Sequence, residues 1–206
     1  MTEILPNEHA ILWVSALLYC AGFGYVLTTL FLNRKHSRVA VLALVSLGFI
    51  IQTIGLYLRG LKVESCPLGN IFEIVQFLTW SLILLYLAIG PAFRVSLLGF
   101  FSSGFAAALV LLSLLVSPWD EPYQAKAFGG NVWIEVHAAT ALFSYGAFAL
   151  LFLSAAMYLL QTHGLRHKRF AGLFSTLPSI VQLDQINRRL LFTGVFVLTV
   201  SLIVGA

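Results

Sequence analysis

The sequence predicts an all-α fold, a polytopic membrane helix bundle of about six transmembrane helices with the N-terminus outside, forming a single domain over residues 1–206. Three observations carry this reading. Hydrophobic residues make up 60% of the chain, charged residues only 10%, and the mean hydropathy is +0.94, too little polar surface to cover a soluble globule. Apolar runs of roughly 20 residues, the length that crosses a bilayer as a helix, recur along the chain. Finally, the charges between the runs are segregated by sign. Strands are a poor alternative, because the runs lack period-two alternation and are about twice as long as a barrel strand.

Taken in order, the first segment runs from about Ala10 to Leu32. The preceding MTEILPNEH carries Glu3 and Glu8 with no Lys or Arg, so it reads as an uncleaved start rather than a signal peptide. The second segment, about Val39 to Leu58, contains Gln52, read as an interhelical hydrogen-bond partner. The third spans about Ile71 to Ile89. The fourth, about Val95 to Val116, holds Gly99, Ser102, Ser103, Gly104 and Ala106 to Ala108, a set suited to close helix packing. The fifth covers about Val132 to Leu160, and the sixth about Leu190 to Ala206, with Thr193 read like Gln52. Ahead of the sixth, LPSIVQLDQINRRLL predicts a short amphipathic helix over about 178–189, lying on the inner surface. Pro178 would start it, Ile180, Leu183, Asn187 and Leu190 share one side, and Asp184 precedes Arg188 by four residues.

Orientation follows from the connections. With the N-terminus outside, the inner set holds nine bases, Arg34, Lys35, Arg38, Arg94, Arg166, Lys168, Arg169, Arg188 and Arg189, against one acid, Asp184. The outer set holds three, Arg59, Lys62 and Lys126, among Glu3, Glu8, Glu64, Glu73, Asp120, Glu121 and Glu135. That is a positive-inside bias. The net charge of +4 is therefore a topology signal and calls for no nucleic-acid partner.

Two runs carry candidate chemistry. The third segment opens as CPLGNIFEIVQFLTW, where Pro67, Gly69 and Asn70 are turn and helix-start residues and Glu73 falls in the first turn, favoured there by the helix dipole. On a helix, Asn70, Glu73, Gln76 or Phe77, and Trp80 share a face, a polar and aromatic stripe that avoids lipid. Glu73→Gln is accordingly expected to harm function more than changes at Glu3 or Glu64. Cys66 has two readings, a reactive thiol or a small residue in the turn before Pro67. Cys20 lies inside the first helix, too far in depth to pair with Cys66 readily, and no CxxC exists.

The fifth segment, NVWIEVHAATALFSYGAFALLFLSAAMYLL, places His137 one turn inside its outer entrance. A neutral imidazole can ligate a metal through one nitrogen while a neighbour holds the other; the plainer account is an interfacial histidine bonded to water or a carbonyl. His137, Thr140, Ala141, Ser144, Tyr145 and Phe148 recur at three- and four-residue steps, with hydroxyls that can bond across an interface. His163 and His167 sit in a solvated basic turn and are given no ligand role.

PLGNIFEIVQFLTW, WIEVHAATALFSYGAFALLFLSAAMYLLQ and LPSIVQLDQINRRL together resemble the cytochrome c assembly membrane proteins of the CcsA/ResC and HemX type, over about Gly55 to the C-terminus. In that family the first motif reads PLSNLYES-like, and the second carries an outward histidine proposed as an axial haem ligand. The resemblance assigns His137 as the haem-iron ligand, with Glu73, Asn70 and Trp80 as further cofactor-binding positions and haem as cofactor. The family's tryptophan-rich outer segment ending near Trp-Asp, and its second ligand histidine, have no counterpart here. Trp119-Asp120 lacks the repeated tryptophans, and the apolar end at Ala206 reads as a C-terminally shortened member or a fragment. His9, just ahead of the first helix, reads as a solvated helix-start residue rather than a second ligand.

The resemblance implies a haem-handling protein of the bacterial plasma membrane that presents haem at the outer face to apocytochrome c, beside a ResB-like membrane subunit. Attaching vinyl groups to apocytochrome thiols would ask the protein mainly for positioning, with no catalytic residue of its own. Two other classes stand beside it. One is a HemX-like regulator of tetrapyrrole synthesis without chemistry. The other, a small-solute transporter, lacks the broken helices or inverted repeat such proteins use.

Overall fold

The computed structural model describes residues 7–32, 37–93, 96–120, 131–167 and 179–206. Glu3, Arg34, Lys35, Arg94, Glu121, Lys126, Lys168, Arg169 and Pro178 lie outside the described residues. Six helices account for nearly all the rest: α1 Glu8–Phe31, α2 Arg38–Val63, α3 Ile71–Phe93, α4 Ser96–Leu115, α5 Val132–His167 and α6 Ile180–Gly205. A 3₁₀ turn, Ser117–Asp120, follows α4, and all six helices contain stretches long and apolar enough to cross a membrane. The all-α class with six helices of membrane-spanning length, as read from the sequence, is therefore the one found among the described residues.

Small polar residues start the helices. Asn7 accepts from the His9 amide at 3.1 Å, Ser37 from Ala40 at 3.4 Å, Asn70 from Glu73 at 2.8 Å and Asn131 from Trp133 at 3.0 Å. Each satisfies an amide that a helix start leaves without a partner. Ser179 and Gln182 form a reciprocal capping box that starts α6. At the other end of α2, Glu64 takes a left-handed conformation, φ 52°, which stops the helix and turns the chain toward α3.

Helices α1 to α4 pack together, α5 lies against α3, and α6 packs on α5. Two glycines set the second part. A Cβ on Gly146 would stand 3.0 Å from the Leu82 amide nitrogen and 2.5 Å from the Ser81 Cβ, so only glycine permits the α5–α3 crossing. A Cβ on Gly194 would stand 2.8 Å from the Phe148 ring, so α6 and α5 approach closely at this point. The far side of α6, including Phe192, Phe196, Leu202 and Ile203, is exposed and apolar, a surface suited to lipid.

Through the middle of α1–α4 runs a chain of hydrogen bonds. The Tyr19 hydroxyl donates to Gln52 Oε1 at 2.8 Å, Gln52 Nε2 donates to Gln76 Oε1 at 2.9 Å, and Gln76 Nε2 donates to Ser113 Oγ at 2.9 Å. All four side chains are buried, so each would be costly in hydrocarbon without the others. Gln52 is thus the interhelical partner expected of it; Thr193 makes no cross-helix bond among the described residues.

The two largest departures from the sequence boundaries lie at α6 and α5. The amphipathic stretch is not a separate surface helix: it is the start of α6, continuous from Ile180 to Gly205. No Gly or Pro interrupts it before Gly194, and Leu183, Ile186 and Leu190 are all buried, so the helix carries straight on into the span. The expected Asp184–Arg188 pair forms at 3.0 Å. Helix α5 continues past Leu160 to His167; its 36 residues make it roughly 54 Å long, well beyond the hydrocarbon thickness.

Candidate functional site

The start of α1, the end of α2, the start of α3, the 3₁₀ turn, the start of α5 and the end of α6 meet at one end of the bundle, shown by the contacts that follow. Its described charges are mainly acidic, Glu8, Glu64, Glu73, Asp120 and Glu135 with Arg59 and Lys62, and the opposite end holds Arg38, Arg166, Arg188 and Arg189 with Asp184.

At the acidic end, Arg59 gathers three carboxylates. Its Nε donates to Glu73 Oε1 at 2.8 Å, one terminal nitrogen to Asp120 Oδ1 at 2.6 Å, and the other reaches Glu8 Oε1 at 3.5 Å. Lys62 donates to Glu8 at 2.6 Å, and His9 Nε2 lies 2.9 Å from Asp120 Oδ2. The Phe72 ring sits against both Arg59 and His9, 5.6 Å and 5.3 Å away. Glu73, 1% exposed, also accepts from the Gly69 amide at 2.8 Å, and Asn70 Nδ2 donates to Asp120 at 3.4 Å. Glu73 and Asn70 are therefore tied into a clamp that joins α1, α2, α3 and the 3₁₀ turn. Sequence reasoning missed Arg59, Asp120 and Glu8 as members, and His9, partly exposed, also meets the Asp120 carboxylate.

Cys66 sits in the turn between α2 and α3. Its amide donates to Glu135 Oε2 at 3.3 Å, which brings α5 to this end, and its carbonyl accepts from Leu68 at 2.9 Å. Burial pushes the thiol pKa up, and the nearby Glu135 and Glu73 carboxylates add to the rise. A thiol held protonated is a poor nucleophile, so the turn role is the one the geometry favours.

His137, two residues beyond Glu135, is half-buried and held by α6. Its Nδ1 lies 2.7 Å from the Ser201 carbonyl oxygen and 3.3 Å from Ser201 Oγ. Ser201 Oγ donates in turn to the His137 carbonyl at 2.9 Å. The other ring nitrogen, Nε2, has no hydrogen-bond or ion-pair partner among the described residues. A histidine with one nitrogen fixed by a carbonyl and the other open is the arrangement metal-binding imidazoles use. The donor chemistry thus fits a residue that would hold a haem iron through Nε2.

The remaining expectations divide. Thr140 and Ser144 donate to carbonyls of their own helix, Val136 and Ala141, rather than across an interface, and Tyr145 is exposed. Trp80 turns toward α2: its indole donates to Thr53 Oγ1 at 2.9 Å and its ring packs on Phe49 and Phe77. Among the described residues no hydrogen bond, ion pair or ring contact joins His137 to Glu73, Asn70 or Trp80. The structure brings Asn70 and Glu73 together and leaves His137 and Trp80 on separate seams.

Comparison with known proteins gives this arrangement a family. The chain is 32% identical over 174 residues to the protein HemX of Brevibacillus brevis, covering 84% of this chain and 63% of that protein. It is 30% identical over 176 residues to the protein HemX of Bacillus subtilis (strain 168), 84% and 62% covered. With the cytochrome c biogenesis protein CcsA of Guillardia theta it shares 27% identity over 184 residues, 81% and 59% covered. The chain thus spans less than two thirds of each relative's length. The sequence profile of the family described as cytochrome C assembly protein matches residues 68–206, which include α3 to α6 and His137, and the chain belongs to that family.

Proposed function

We propose that this protein handles haem in cytochrome c biogenesis, presenting it at the outer face of a bacterial plasma membrane for attachment to apocytochrome c, with a ResB-like subunit beside it. The observation that carries this reading is His137, at the acidic end, whose Nδ1 is held by the Ser201 carbonyl while Nε2 has no partner among the described residues. Haem, when bound, supplies the iron and the vinyl groups that react with thiols. The chain's own part is to bind and orient: His137 offers Nε2, Glu73 and Asn70 keep the helix ends around it in place through Arg59 and Asp120, and Trp80 firms the α2–α3 seam. The uneven charge of the two ends supports placing the acidic end outside. Reporter fusions after Arg38 and after Lys168 should read as cytoplasmic, and one near Lys126 as external. The opposite pattern would turn His137 inward.

A regulator of tetrapyrrole synthesis is the second reading, favoured by the two relatives named HemX. Cells deprived of this protein distinguish the two. Haem staining of c-type cytochromes should fall sharply while haem precursors keep their usual levels; altered precursors with normal staining would favour the regulator.

A further inference from the structure

We infer that Ser201 and Gly205, one helical turn apart near the end of α6, are positioning residues that hold His137 in the Nδ1–H tautomer and leave Nε2 as the ligand atom. The inference rests on the haem-ligand reading of His137 and names what makes that residue fit to ligate.

A carbonyl oxygen only accepts hydrogen bonds, so the 2.7 Å contact between Nδ1 and the Ser201 carbonyl requires the proton to be on Nδ1. The Ser201 hydroxyl cannot reverse that assignment. Its hydrogen is given to the His137 carbonyl at 2.9 Å, and toward Nδ1, at 3.3 Å, the oxygen is a second acceptor. Two acceptors on one nitrogen fix the tautomer of the neutral ring without reference to any metal. Hydrogen bonding at Nδ1 also locks the ring's orientation.

Gly205 supplies the space. A Cβ there would overlap Nδ1, Cε1 and Cγ of the His137 ring, so the imidazole occupies the volume that any side chain at 205 would need. Helix packing does not require this arrangement, since α5 and α6 are already joined through Gly194 and Phe148 and through buried Leu183, Ile186 and Leu190. A histidine serving packing alone has no need of an open second nitrogen.

The test begins with haem-free protein in nanodiscs, labelled with ¹⁵N-histidine, the His137 signals being identified by their loss in His137→Gly. In the neutral ring, Nδ1 should appear protonated and Nε2 unprotonated. Gly205→Ala should disturb that tautomer, weaken haem binding by about 10- to 100-fold, the range seen when groups supporting a metal ligand are changed, and shift the Soret band. Ser201→Ala keeps the carbonyl and should keep the tautomer. Gly194→Ala, which crowds Phe148 in the same helix pair, controls for general loosening and should leave the tautomer unchanged. A wild-type ring protonated on Nε2, a Gly205→Ala protein indistinguishable from wild type, or an equal disturbance from Gly194→Ala would overturn the inference. If the tautomer results hold but wild-type protein takes up no haem, the haem reading fails on its own and the positioning of the ring stands.

Discussion

Replacing Arg59 with alanine is expected to destabilise the protein by about 3–5 kcal/mol, the usual cost of removing one partner from a buried ion pair. At 7% exposure Arg59 is not a surface cation, for which the loss would be roughly 0–1 kcal/mol. Its removal leaves Glu73, Glu8 and Asp120 facing one another, with Lys62 on Glu8 as the cation remaining among the described residues. Glu73→Gln should cost less, because Arg59 keeps Asp120 and Glu8, but more than Glu64→Gln at the exposed end of α2. Circular dichroism during thermal unfolding in mild detergent measures the series. Equal midpoints for all three variants would mean that the clamp contributes nothing beyond helix-end electrostatics.

Arg59 also shows where the sequence stopped being legible. The apolar run of the second segment ends at Leu58, which put Arg59 in a loop, but backbone hydrogen bonding continues to Val63 and draws the arginine into the helix. An apolar run marks the hydrocarbon, and a helix is free to outlast it. The same effect moved the end of α5 to His167 and merged the amphipathic stretch with α6. The six crossings themselves were legible because hydrophobic length is a property of each segment alone.

The site was legible in part for a related reason. The position of His137 near a helix entrance, Glu73 in a first turn and the capping role of Asn70 are local features, readable along one helix. Which neighbour each side chain meets depends on register between helices. Ser201 meets His137 only through the packing of α6 on α5, and no pattern within the fifth or sixth segment alone encodes that pairing. Trp80 shares a helical face with Glu73 on paper, yet Thr53 and Phe49 on α2 decide where its ring lies.

The most direct measurement is the visible spectrum of the purified protein after addition of haem, for wild type, His137→Gly and His163→Gly. The account predicts a defined Soret band for wild type. His137→Gly should show lower occupancy or a shifted band, partly restored by added imidazole filling the vacated ligand position. His163→Gly, at the basic end of α5, should match wild type. A His137→Gly protein that keeps the wild-type spectrum and supports normal cytochrome c maturation would contradict the assignment, leaving His137 an interfacial histidine bonded to Ser201.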